Sequence, residues 1–202
     1  IYLLVKEYGL YRWSGLLAFI AYLILVLLSG KTKFYQVGQY FEYALQLWLV
    51  GIMIFPPFIR NKHLLKSVTL AIALTFGAHG LYALGFYPRP GHFVQMTLTI
   101  LPVSESFAVR FLQAAGALDL LVAVFVWFPG RIRFWTLVYA FLWGLATSLA
   151  RLFAYIDWVE FVPFLEQWLY QFIIRIPHFT GPLLALMLLR NKNDQKTGSQ
   201  KG

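Results

Sequence analysis

The sequence predicts an all-α, polytopic membrane protein, a bundle of six transmembrane helices. Three observations predict it. Of 202 residues, 60% are hydrophobic and 12% charged, and the mean hydropathy is +0.67, an apolar excess beyond what the core of a soluble domain this long needs. Six stretches approach or reach the roughly 20 mainly apolar residues that a helix needs to cross the hydrocarbon layer. The net charge of +9 comes from lysines and arginines set between those stretches rather than gathered in one patch. That pattern speaks for topological charge beside anionic lipid and against nucleic acid as a partner.

The spans are expected at residues 10–29, 38–59, 64–87, 106–128, 132–155 and 164–189, in a single domain covering residues 1–190. The first ends at Gly30-Lys31-Thr32-Lys33; its length, with no small-residue cleavage site, marks a span rather than a cleavable signal peptide. The second carries Gln39, Glu42 and Gln46 at spacings of three and four, a polar stripe on one helix face, and stops at Pro56-Pro57 and the basic Arg60-Asn61-Lys62-His63 turn. The third contains Ala73, Gly77 and Gly80, the fourth Ala114-Ala115-Gly116-Ala117, and the fifth Gly144 with Ser148. Small residues let helices approach closely, so these three spans are expected to pack tightly. A polar segment, Pro88 to Glu105, is expected as an outer loop between the third and fourth spans. Pro129-Gly130-Arg131 joins the fourth to the fifth, Asp157 to Pro163 joins the fifth to the sixth, and Pro177 interrupts the sixth. Residues 191–202 are polar and expected to form a disordered cytoplasmic tail.

Charge sets the orientation. With six spans, Lys6, Arg12, Arg60, Lys62, Lys66, Arg131, Arg133, Arg190 and the tail lysines share one side. The other side has only Lys31, Lys33, Arg89, Arg110 and Arg151, together with Glu105, Asp157, Glu160 and Glu166. The Lys/Arg excess marks the first side, with both termini, as cytoplasmic. A bacterial inner membrane is the expected location.

Ionisable groups at membrane depth cost several kcal/mol unless paired or hydrated, so each is a candidate site residue. His79 lies late in the third span, Asp119 in the middle of the fourth, Arg151 near the outer end of the fifth, and Arg175 and His178 one turn apart in the sixth. Glu42, Gln46, His79, Tyr82, Arg151, Arg175 and His178 are expected to line a ligand-binding cavity in the outer half, between the second, third, fifth and sixth spans. Asp119 and Arg175 are expected to form a buried ion pair. Arg151 has an alternative role as an interfacial snorkel.

The chain has no cysteine, so no thiolate metal site or disulfide is available, and no metal site is expected. His79 and His178 are the only span histidines and offer axial ligands for a haem b. Counting 1.5 Å per residue puts them roughly 12 Å and 20 Å from the outer edge, a mismatch in height that disfavours haem. No phosphate loop, metalloprotease pattern or nucleophile elbow is present.

From about residue 66 to 190 the chain resembles the DoxX-like family of small four-helix membrane proteins. The resemblance rests on Phe76-Gly77-Ala78-His79-Gly80-Leu81-Tyr82-Ala83-Leu84, on the polar segment after it, and on Gly116-Ala117-Leu118-Asp119-Leu120-Leu121. It implies a four-helix core, from which the two extra N-terminal helices depart, and His79, Gly80 and Asp119 as core or site positions. It also implies a membrane subunit associated with quinone-linked or other redox complexes. The expected function is therefore an accessory, noncatalytic membrane subunit of such a complex, with other membrane subunits as partners and a quinone or lipid in its outer-half pocket. The alternatives are a membrane enzyme or haem-carrying electron-transfer subunit using His79 and His178, and a small transporter with Asp119 and Arg175 on its path.

Overall fold

The computed structural model describes residues 8–54 and 61–199. Among these residues the protein is helical without strands: α1 (Tyr8–Thr32), α2 (Val37–Glu42), α3 (Ala44–Ile54), α4 (Asn61–Leu84), α5 (Gly91–Ile100), α6 (Glu105–Phe125), α7 (Arg131–Phe153) and α8 (Phe161–Ser199). Within α1, α4, α6, α7 and α8, five stretches are long and apolar enough to cross a membrane. Large apolar side chains cover their outer faces: Leu17, Leu28, Trp135, Leu142 and Met187 are all exposed. Such a surface suits lipid and suggests an integral membrane protein.

Local chemistry sets the ends. The Ser104 hydroxyl accepts the Phe107 N–H and opens α6, as an N-cap does. Two arginines close helices from outside. Arg133, in the first turn of α7, donates to the carbonyls of Val126 and Trp127 at 2.8 Å each, and Arg89 donates to those of Ala83 and Leu84. Each guanidinium satisfies carbonyls that the helix end leaves unpaired. Gly130 and Gly85, at φ +79° and +91°, take the left-handed backbone those reversals need.

Three expectations are corrected. The second span is not one helix: it breaks at Tyr43 into α2 and α3, while residues 55–59 of it lie outside the described residues. The Leu45 N–H, a first-turn donor of α3, bonds instead to the buried Thr75 hydroxyl of α4 at 3.1 Å. The Pro88–Glu105 segment is not all loop, because α5 forms within it and packs on α6 and α7. Finally, Pro177 does not interrupt the sixth span: α8 stays helical through Pro177 and Pro182.

Glycines fix the crossings. A methyl group on Gly80 would lie 2.7 Å from the Gly116 carbonyl oxygen, so α4 and α6 meet backbone to backbone, as the small-residue pattern predicts. The fifth span, however, packs closely on the sixth rather than the fourth. A methyl on Gly144 would lie 2.5 Å from the His178 carbonyl oxygen, and α6 and α7 touch only sparsely. The apolar core, including Val68, Ile72, Val122, Val126, Leu137 and Ala185, fills the end of the bundle where α4 begins. Polar residues gather toward the other end.

Candidate functional site

His79, five residues before the end of α4, stands at the centre of a buried polar cluster. Its Nε2 lies 2.9 Å from Nε2 of His178 on α8, and the two rings stack with centroids 5.0 Å apart. Nη1 of Arg175 donates to the same His79 nitrogen at 3.3 Å. Glu42, the last residue of α2, completes the group: its Oε1 is 3.4 Å from His79 Nδ1 and 3.5 Å from Arg175 Nη2. Its Oε2 is 3.6 Å from the Lys33 ammonium.

Hydrogen-bond arithmetic assigns the tautomers. A guanidinium has donors only, so His79 Nε2 must accept from Arg175 and carry no proton. Its single lone pair is then shared between Arg175 and the Nε2–H of His178, and the His79 proton sits on Nδ1, 3.4 Å from Glu42 Oε1 but without a hydrogen bond to it. Nδ1 of His178 is left as a buried acceptor with no hydrogen-bond partner among the described residues.

Lys33 reaches this cluster through a strained turn. Phe34 and Tyr35 both adopt left-handed backbone, with φ of 53° and 57°, a conformation uncommon outside glycine. The turn brings the ammonium of Lys33 to Glu42 and 4.7 Å above the ring of Tyr82.

Beside the cluster a cavity of about 280 Å³ opens between α6 and α7, where these sequence neighbours splay. Phe93, Met96 and Thr97 of α5 close one side, while His79, Arg151, Arg175 and His178 supply polar wall. Phe111 and Trp143 face each other edge to face, with centroids 6.3 Å apart. Arg151 is only 4% exposed. Its Nη1 donates to Gln171 Oε1 at 3.2 Å, and its Nε has no partner among the described residues.

Of the expected cavity residues, His79, Arg151, Arg175 and His178 line the wall, and Glu42 touches it through His79 and Arg175. Gln46 and Tyr82 do not line it. Both are buried, and Tyr82 instead stacks near Tyr87 with centroids 5.0 Å apart. The expected wall from the second span is replaced by α5 and α6.

The expected Asp119–Arg175 ion pair is absent among the described residues. Arg175 is taken by Glu42, whereas Asp119 lines the cavity, its Oδ1 buried without a hydrogen-bond partner among the described residues. Snorkelling of Arg151 is likewise overturned by its burial. The height mismatch between His79 and His178 disappears too, because α8 reaches well past the end of α4 and the rings touch.

Haem b still does not fit. Two imidazoles on opposite faces of one metal, each about 2 Å away, would hold their nitrogens about 4 Å apart. Here they are 2.9 Å apart with stacked rings. Among the described residues no three of His, Asp and Glu form a metal-ligand group.

The sequence alone does not single out Lys33, Gln171 or α5. Lys33 reads as an ordinary loop lysine, Gln171 as one polar residue near a helix end, and α5 carries too few apolar residues to register as a span. Compared with family models, with curated proteins and with solved structures, the chain matches none.

Proposed function

We propose that this chain is a polytopic membrane protein acting as a noncatalytic accessory subunit of a larger, quinone-linked redox complex. It holds an amphipathic ligand, a quinone or a lipid, in the cavity between α6 and α7. One observation carries this: a mainly apolar cavity has His79, Arg151, Arg175 and His178 on its wall, the layout of a site that buries a ligand's body and orients its polar end. The resemblance of residues 66–190 to DoxX-like proteins supports the redox association. In this proposal α2 and α3 belong to the sixth crossing, the basic end of the bundle is cytoplasmic, and the cluster lies in the outer half.

The test is purification from native membrane in mild detergent, followed by mass spectrometry of bound small molecules and accompanying subunits. A co-purifying quinone or lipid, lost in His79→Ala and Arg175→Ala variants that still fold, is the expected result. A protein that carries neither, with native-complex activity unchanged in both variants, would overturn the proposal.

A second role has one observation in its favour. Glu42 sits where α2 and α3 interrupt one another, and transporters place their sites at such breaks. As a transporter, the protein should show substrate flux in proteoliposomes that Glu42→Gln abolishes.

A further inference from the structure

Three cations, Lys33, Arg151 and Arg175, share this region with one ion-paired carboxylate, Glu42. Arg175 and Lys33 divide Glu42 between them. Arg151 has a neutral amide as its only hydrogen-bond partner among the described residues. Asp119, the other acid on the cavity wall, makes no ion pair among the described residues, and its Oδ1 has no hydrogen-bond partner among them. The two histidines contribute no negative charge in any protonation state. A guanidinium that is 4% exposed inside an apolar bundle is expensive unless a counter-charge reaches it, and among the described residues no carboxylate forms an ion pair with Arg151.

We infer, resting on the ligand-holding role proposed above, that the cavity's ligand is an amphipathic anion. Its carboxylate or phosphate binds at Arg151, beside Arg175, and its apolar chain lies between α6 and α7 under α5. An acidic headgroup provides the missing counter-charge and accepts charge-assisted hydrogen bonds from the guanidinium. The apolar lining, Phe76, Met96, Ile100, Leu112 and Trp143 among it, takes the chain. A volume of about 280 Å³ falls just below the roughly 300–1,000 Å³ of ligand pockets, which suits one acyl chain rather than the body of a two-chain lipid. A neutral quinone would leave the charge at Arg151 uncompensated.

The test is binding to the full-length protein in nanodiscs of neutral lipid, by titration with four probes: palmitic acid, its methyl ester, lysophosphatidic acid and a short-chain ubiquinone. The ester has the chain without the charge, so the acid should bind roughly tenfold to a hundredfold more tightly. Arg151→Gln should lower acid affinity to that of the ester, and Arg151→Lys, which keeps the charge, should restore most of it. Preference for lysophosphatidic acid over palmitic acid identifies a phosphate headgroup as the source and still supports the inference. Should Arg151→Gln not fold, the comparison of acid with ester on the unaltered protein decides alone. Equal affinity for acid and ester, or tight quinone binding with no advantage for the acid, overturns the anion while leaving the ligand-holding role intact. No binding of any probe, with nothing co-purifying, overturns both.

Discussion

His79 has two ring nitrogens and three charged or polar neighbours to serve, and that shortage orders the cluster. Because Arg175 can only donate, the protons fall on His79 Nδ1 and His178 Nε2. Nitrogen-15 NMR of ring-labelled protein should therefore report opposite tautomers for the two histidines; matching tautomers would break the hydrogen-bond chain. Glu42 serves both His79 and Arg175, so Glu42→Gln should lower stability by about 3 kcal/mol, the scale of leaving a buried charge without its partner, read as thermal unfolding in detergent. The charged members were legible in sequence because charge inside an apolar run is costly wherever it sits. Their pairing was not. Helical periodicity places a residue around its own axis but says nothing about which neighbouring helix faces it, so Asp119 and Arg175 looked like partners while Glu42 held the closer position.

Helix ends and crossings show the same division. Ranges of the long helices follow from apolar run length, and Gly80 against Gly116 follows from small residues in both helices. The break at Tyr43 depends on a hydroxyl, Thr75, which lies thirty residues away. Replacing Thr75 by Val keeps the shape and removes that acceptor. The cost should be about 1–3 kcal/mol for the unsatisfied Leu45 N–H, seen as faster amide exchange at the start of α3. Gly144→Leu should be destabilising by about 1–3 kcal/mol through overpacking, and should also push α8 away and weaken the His79–His178 contact.

At the start of α8, the Asp157 carboxylate accepts the backbone N–H groups of Val159 and Glu160 at 2.8 and 3.1 Å. These bonds hold its pKa below the ordinary carboxylate value. The sign follows: a depressed folded-state pKa gives a contribution present above the ordinary value of about 3.9 and lost as pH falls through the folded one. Amide protection at Val159 and Glu160 should decline in that acid range, and Asp157→Ala should show no such decline.

Across the whole molecule, α4 to α8 pack on one another, whereas α1 touches mainly α2 and α3, which lean on α4 and α8. The histidines and buried arginines of the site, His79, Arg151, Arg175 and His178, all belong to the first group. Glu42 and Lys33 belong to the second. The N-terminal helices are thus an arm whose docking finishes the chemistry of the body. Undocking would strip Arg175 of its anion and open the cluster on the α2 side, so the arm's position and the charge at the site report on each other.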